Sequence, residues 1–300
     1  MALTVSVNRV NKDSRELLSY GTEDFPIAFF DDDLTRITVP WHWHNEFEIV
    51  IITEGTVRIR IASSEFLLKK GDGYFANRGI LHSSVLESDT GHQHCLVFSP
   101  DVLAGENDIV RGTYINPILS DHALPFIKLT PDIPWQREFL CLADDAWSRG
   151  AYEKEDYPIF VKFNLCRVFS LIVRHMEILS TETGYSDKFQ IENLRIKKAM
   201  HYIASSYSTS ITINDIAKSA DISVSTCLRL FKSVLNTTPV QYLIRYRIQK
   251  IVEELSNQNR KTIGEIACSC GFSDPVYFNR CFKKIYGCTP SEYIRLHSSD

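Results

Sequence analysis

Residues 262–293 read TIGEIACSCGFSDPVYFNRCFKKIYGCTPSEY, and residues 212–242 read TINDIAKSADISVSTCLRLFKSVLNTTPVQY. Thr212, Ile213, Ile216 and Ala217 recur fifty residues later as Thr262, Ile263, Ile266 and Ala267. Phe231, Lys232, Thr238, Pro239 and Tyr242 recur fifty-one residues later as Phe282, Lys283, Thr289, Pro290 and Tyr293. Two copies make a duplicated module; a stacked solenoid requires at least three.

Each copy opens on a capping box, Thr212-x-x-Asp215 and Thr262-x-x-Glu265, so a helix start is specified twice by one device. A polar turn follows the short helix (Asp221-Ile222-Ser223; Gly271-Phe272-Ser273), and then a second helix. Pro275 suits the first position of that helix, with Asp274 or Ser273 as its N-cap. Two helices joined by three or four residues form a helix-turn-helix, whose second helix can enter a major groove. In the first copy Cys227, Leu230, Phe231, Val234 and Leu235 form an apolar stripe that predicts the buried face. Ser225, Thr226, Arg229, Lys232 and Ser233 are left outward. In the second copy Phe278, Cys281, Phe282 and Ile285 form the stripe, leaving Val276, Tyr277, Arg280, Lys283 and Lys284 outward. An arginine at the centre of such a face suits guanine O6 and N7, and flanking lysines suit phosphates.

The pattern I-x-x-I-A-x-x-x-G-F, then Y-F-x-R-x-F-K-K-x-x-G-x-T-P-x-x-Y, occupies Ile263 through Tyr293. Over roughly 192–296 the chain resembles the AraC/XylS family of bacterial transcription regulators. The resemblance implies double-stranded DNA as partner, a long helix (here Gln241–Ser256) joining two modules, and recognition helices in successive major-groove segments. By position it implies base-facing roles for Ser225, Leu228 and Arg229 and for Val276, Asn279 and Arg280. Asp221 stands at a turn position where the second copy has Gly271.

Charge divides between the halves. Residues 189–300 carry 15 Lys and Arg against 9 Asp and Glu, leaving 18 against 28 in residues 1–188. A basic tail behind an acidic body is the electrostatic footprint of a duplex binder. No basic-then-apolar leader opens the chain and no apolar run approaches eighteen residues, so a cytoplasmic protein without a membrane span is expected. The eight cysteines include no C-x-x-C pair, and Cys268-x-Cys270 is too tight for a zinc loop; reduced thiols are expected.

From about Phe25 to Phe98 the periodicity changes to two. Phe47–Ile52 and Thr56–Ile61 read as strands flanked by the turn residues Glu54-Gly55 and Lys70–Gly73, and strands at this spacing suggest a sandwich or barrel. Within them stand His42-x-His44-x3-Glu48-x6-Gly55 and Gly71-x5-Asn77-x-Gly79-x2-His82. These resemble the two motifs of the cupin barrel, with Asn77 where the pattern usually has proline. In cupin enzymes His42, His44, Glu48 and His82 would occupy the metal-ligand positions. Strand alternation gives His42, His44, Glu46 and Glu48 one parity, so a bend must intervene if only three of them point inward. Two or three imidazoles and a carboxylate would suit Zn, Mn, Fe or Ni. The competing reading is a histidine-rich interior that hydrogen-bonds a small organic effector, with Trp43 and Tyr74 among its contacts and no cofactor required. The aromatics Trp41, Phe47 and Phe75 complete a pocket-like set. His92 and His94 lie on a later strand that could border the same cavity.

Pro134–Arg149 and Tyr157–Leu179 read as helices. The second carries Ile159, Phe160, Phe163, Cys166, Phe169, Ile172 and Val173, more apolar surface than a small barrel covers, which points to a homodimer. Ser180–Ser186 reads as a linker. The expected class is α+β: a cupin-like effector-sensing barrel (1–133), a helical dimerisation segment with linker (134–183), and an all-α DNA-binding domain (188–300) with helix-turn-helix modules at about 212–235 and 262–286. The expected function is a non-enzymatic, sequence-specific transcription regulator responding to a small molecule, with RNA polymerase a partner if it activates. A metal-dependent cupin dioxygenase or isomerase and an architectural DNA binder are the alternatives.

Overall fold

The computed structural model describes residues 3, 4, 16, 20–61, 63–120, 124–183, 187–256 and 262–297. The chain forms two compact units, Met1–Asn193 and Leu194–Asp300.

The first unit is built on seven antiparallel strands: β1 (Ile27–Asp33), β2 (Val39–His42), β3 (Phe47–Ile61), β4 (Ser64–Lys69), β5 (Gly73–Ala76), β6 (His82–Phe98) and β7 (Phe126–Leu129). They make one sheet in the order β1-β6-β3-β5-β7, with β2 added to β6 and β4 to β3, so the path ends on β1 and β7 and the sheet does not close into the expected barrel. The two strands expected at 47–52 and 56–61 are one fifteen-residue strand. Glu54-Gly55 is a bulge inside it, where the pairing with β6 shifts register and Gly55 takes φ +79°. A bulge bends a long strand without ending it, which is why turn residues appear mid-strand.

Alternation along β3 assigns the two faces. Phe47, Ile49 and Ile51 join Phe29, Phe75, Leu96 and Phe98 in a core shared with the helices. Val50, Ile52, Val57 and Ile59 join Phe30, Tyr74, Cys95 and Val97 in a second core on the other face. The first face is covered by α2 (Pro134–Ala151) and α3 (Tyr157–Thr183), which follow the short helix α1 (Asn116–Ser120) and β7. On α2, Phe139, Ala143, Ala146 and Trp147 are buried, and Gly150 lies so close to β1 that a Cβ there would stand 2.0 Å from the Phe29 ring. On α3, Leu165, Val168, Phe169 and Ile172 are buried, with the Phe169 ring 4.9 Å from that of Phe47. The subunit itself therefore absorbs much of the apolar surface read as a dimer face. What stays exposed is Ile159 (73%), Phe163 (59%) and Ile178 (56%). The helix also runs on to Thr183, into the stretch read as a linker, of which residues 184–186 lie outside the described residues.

The second unit is helical: the end of α4 (Asp187–Ser206), then α5 (Ile213–Ser219), α6 (Val224–Leu235), α7 (Pro239–Ser256), α8 (Ile263–Ser269), α9 (Pro275–Tyr286) and α10 (Pro290–His297). Both expected capping boxes form, Thr212 with Asp215 and Thr262 with Glu265. The same exchange recurs at Thr289 and Glu292 before α10, and at Thr238 and Gln241 at the start of α7. The recognition helices α6 and α9 end alike, on a left-handed residue, Asn236 (φ +47°) and Gly287 (φ +76°), which releases the last carbonyls to a C-cap. The turns correspond too: Asp221 has φ +56° where Gly271 has φ +91°. Helix α7 packs against α5 and α6 on one side and α8 and α9 on the other, giving both modules one spine. Phe231 and Phe282, equivalent in the repeat, are both fully buried, and each such aromatic contributes about 1.5–3 kcal/mol by leaving water.

Candidate functional sites

The recognition faces are positioned by what they bury. On α6, Cys227, Leu230, Phe231, Val234 and Leu235 turn inward, all five residues of the expected stripe. Ser225, Leu228, Arg229 and Lys232 are exposed, while Thr226 is half-buried beside the N-cap Ser223, 3.0 Å between hydroxyls. Lys232 donates to Asn236 Oδ1 at 2.7 Å, which ties it to the helix end. On α9, Phe278 and Phe282 are buried and Cys281 is half-buried, but Ile285, expected inside, is 41% exposed. Ile285 lies in the last turn of α9, beyond the buried Phe282, where the helix passes the edge of the module core. Val276, Tyr277, Asn279, Arg280, Lys283 and Lys284 all face solvent. The Arg280 guanidinium lies 5.3 Å from the centre of the Tyr277 ring, a cation–π contact that holds it outward. Among the described residues, no carboxylate pairs with Arg229, Arg280, Lys283 or Lys284. A row of cations outside any ion pair, on a rigid helix, is what a phosphate-flanked groove attracts.

The second site lies on the inner face of the sheet. His42 and His82 are direct cross-strand partners on β2 and β6, with ring centres 4.1 Å apart. Residues 44–46 make the bend that parity requires: Glu46 turns out while Glu48 shares the inward face with Val50. One ligand-capable atom from each of His42, His44, Glu48 and His82 lies within 4.8 Å of the others, and all four residues are buried. Each imidazole places Nδ1 against a backbone carbonyl: Pro40 at 2.9 Å, Glu46 at 3.1 Å and Ile80 at 2.8 Å. A carbonyl only accepts, so each Nδ1 carries its proton and each Nε2 is left to face the interior. His44 Nε2 is 2.8 Å from Glu48 Oε2. His82 Nε2 is 2.7 Å from the same oxygen but off the axis of a hydrogen bond. The Tyr74 hydroxyl donates to Glu48 Oε1 at 2.6 Å.

Burial acts on the Glu48 carboxyl to raise its pKa, but the imidazoles of His82 and His44 outweigh it and hold the group well below the usual range. Burial drives His42 down to about 3, keeping it neutral, whereas Glu48 raises His82 against the effect of burial. The donor set fits a divalent metal: three Nε2 atoms with fixed tautomers, one carboxylate, and in His82 Nε2 a buried nitrogen without a hydrogen bond. His42, His44, Glu48 and His82 would hold such an ion, and it would offer a Lewis-acidic contact to whatever enters.

A cavity of about 40 Å³ opens beside this cluster, lined by Glu16, Phe30, Asp32, Val39, Pro40, His42, Glu48, Gln93, Cys95 and Val97. The sequence reading missed Glu16, Asp32, Gln93 and Cys95. Of the β6 residues, it singled out His92 and His94, which have the opposite parity: His94 stacks on Trp147 (3.4 Å between centres) and pairs with Asp144 at 2.7 Å, outside the cavity. Parity with the buried run Cys95 and Val97 was the signal that pointed to Gln93. Phe47 and Phe75 also turn to the helix side of the sheet, and Trp43 is half-buried but does not line the cavity.

A sheet-built unit enclosing a small cavity, and a helical unit with a duplicated basic helix-turn-helix, define a ligand-binding transcription regulator. Residues 25–155 match the AraC-like ligand binding domain and residues 216–296 match a helix-turn-helix domain. The chain belongs to the AraC family. Relatives agree along the full length: the uncharacterized HTH-type transcriptional regulator YdeC of Bacillus subtilis is 26% identical over 96% of this chain and 98% of its own. The probable transcriptional regulator LumQ of Photobacterium leiognathi is 23% identical, over 91% and 96%. Among solved structures, ToxT of Vibrio cholerae is similar over 93% of this chain and all of its own, at 14% identity and a TM-score of 0.39. No described helix is long and apolar enough to cross a membrane.

Proposed function

We propose that the two recognition helices, α6 and α9, read adjacent major-groove segments of one operator, and that a small molecule bound in the sheet-lined cavity sets the affinity of that reading. The observation that carries the proposal is the pair of outward arginines, Arg229 and Arg280, each free of any carboxylate among the described residues and each central on a capped helix. Two chains pairing through the exposed Ile159, Phe163 and Ile178 would place four such helices on DNA, and contact with RNA polymerase would make the protein an activator. The effector can shift the equilibrium only by binding one state better than the other. Of the four clustered residues His42 and Glu48 line the cavity and would contact the effector, with His44, His82 and Tyr74 acting through Glu48.

Arg280→Ala tests the reading. It is expected to cost roughly 1–3 kcal/mol at the selected operator and to relax base preference at one position. Equal losses on operator and random DNA would reduce Arg280 to a phosphate contact. The four-residue donor set favours a second reading, enzymatic chemistry at a bound metal; stoichiometric metal with turnover, and no specific DNA retardation, would establish that instead.

A further inference from the structure

Each recognition helix carries an apolar side chain among the polar and basic groups of its outward face. Val276, the second residue of α9, is 76% exposed, and among the described large apolar residues only Ile109 is more so. Leu228 on α6 is 40% exposed and stands directly before Arg229. Both helices start on a cap that orders the first turn. Asp274 Oδ1 accepts from the backbone of Val276 at 2.8 Å and of Tyr277 at 3.3 Å, and Ser223 Oγ accepts from that of Thr226 at 3.2 Å. A valine in a helix keeps essentially one side-chain rotamer, so its two methyls point in a fixed direction. The two copies differ at these positions. At the offset of fifty-one Arg229 matches Arg280, but Ser225 stands where α9 has Val276, and Leu228 where it has Asn279.

We propose that Val276 and Leu228 each read the C5 methyl of a thymine beside the guanine taken by Arg280 and by Arg229. This deepens the proposed operator reading and rests on it. The N-terminal residues of a recognition helix are the ones that reach base edges. Among the groups a major groove presents there, the apolar member is the thymine methyl; the others donate or accept hydrogen bonds that valine and leucine cannot complete. Phosphates are met by cations and hydrogen-bond donors, and an isopropyl group offers them neither. Val276 lies four residues before Arg280, about 6 Å along the helix axis, which spans at most about two base-pair steps. Leu228 adjoins Arg229, so its thymine lies within about one step. The two operator segments therefore share a guanine but hold their thymines at different distances from it, and the operator is not one sequence repeated.

The test selects operator fragments with the full chain and replaces each of their thymines in turn by deoxyuridine, which removes only the methyl. Affinity is read by gel retardation at one fixed salt concentration. The guanines are located as the base pairs at which Arg280→Ala and Arg229→Ala relax preference. One uracil near the Arg280 guanine is expected to weaken binding about fourfold, the effect of returning one methyl to water. Val276→Ala should weaken the thymine operator by a similar factor and show no further loss with uracil, whereas Val276→Ile should keep the discrimination. Leu228→Ala should behave alike at a second thymine, near the other guanine. Both positions are exposed, so these variants fold as the parent does. Each residue stands or falls on its own cycle: its role is overturned if no thymine lies near its guanine, if uracil there is tolerated, or if the uracil loss is the same in the alanine variant as in the parent. Specific binding with any of these results sinks this inference alone. Binding that prefers no fragment sinks the operator reading, and this inference with it.

Discussion

Gly271→Ala probes the turn of the second module, where backbone conformation and an inter-element staple coincide. Gly271 holds φ +91°, and an added Cβ would stand 2.5 Å from the Tyr207 carbonyl oxygen and 2.9 Å from Arg247 Nε and Cζ. The guanidinium can move aside, but the carbonyl belongs to backbone, so the turn itself must shift as well, and the strain and lost bond together set a lower bound on the cost. Arg247 now donates to Tyr207 O at 2.7 Å and Thr209 O at 2.8 Å, joining the spine helix α7 to the segment before α5. Left-handed strain costs ~1–2 kcal/mol, and losing one charge-assisted bond of a half-buried arginine costs ~1.5 kcal/mol, for a total of about 3 kcal/mol. Native-state hydrogen exchange at the buried Ile266 amide reads this locally, as a fall in protection on the order of 100-fold. The matched change in the first module, Asp221→Gly, relieves a left-handed non-glycine residue and should move stability by no more than about 1 kcal/mol. In an Arg247→Ala background the Gly271→Ala cost should shrink, because the clash has lost a partner. A fall in protection of less than threefold for Gly271→Ala, or the same cost in both backgrounds, would refute the coupling.

Three further outcomes are expected. Thr212→Ala and Thr262→Ala each remove the hydroxyl half of a capping box and should cost ~1 kcal/mol of local helix stability, read as faster exchange in α5 and α8 respectively. Gly150→Ala gains ~1 kcal/mol of helix propensity but drives a methyl into the buried Phe29 ring, and a net loss of ~1–3 kcal/mol in urea unfolding is expected; a stabilised variant would contradict the packing. Metal-free protein should lose stability in mild acid. The folded-state pKa of His42 is held near 3 by burial, whereas the unfolded chain takes up a proton from about 6.5 downward, so the loss is at most ~1.4 kcal/mol per pH unit below that point. His82, raised in the folded state, contributes stability that is lost only as pH rises above the same value, whereas Glu16, raised by burial, gains stability as pH falls and partly offsets the His42 loss. All four tryptophans lie in the first unit, so their fluorescence follows it alone; an unchanged slope in His42→Gln would refute the assignment.

The helical half was readable because its signals are local. A capping box spans four residues and an apolar stripe repeats within eleven, and the duplication supplied each reading twice. Even Asp221, odd by sequence, proved to be the left-handed counterpart of Gly271. The failure at Ile285 has the same origin in reverse. Periodicity predicts which face a residue shares, but the core under α9 ends at Phe282, and where a core ends depends on the other helices.

The sheet half was legible only along each strand. Parity placed His42 and Glu48 inward and required a bend before Glu48, which residues 44–46 supply. Parity within one strand cannot say which strand lies opposite. Gln93 faces Asp32 because β6 pairs with β1 in a register that couples residues sixty-one apart. Glu16 reaches His42 from earlier in the chain, through a single backbone bond to Trp43. Histidines drew the eye to His92 and His94, yet the alternation that buries Cys95 and Val97 turns those two outward and brings a glutamine in. A cavity's chemistry is thus decided by registers between distant strands, whereas a helix carries its face in consecutive residues; the exposed faces of α6 and α9 could be read from the sequence, and the place of Asp32 and Gln93 in the cavity lining emerged only from the pairing of β1 with β6.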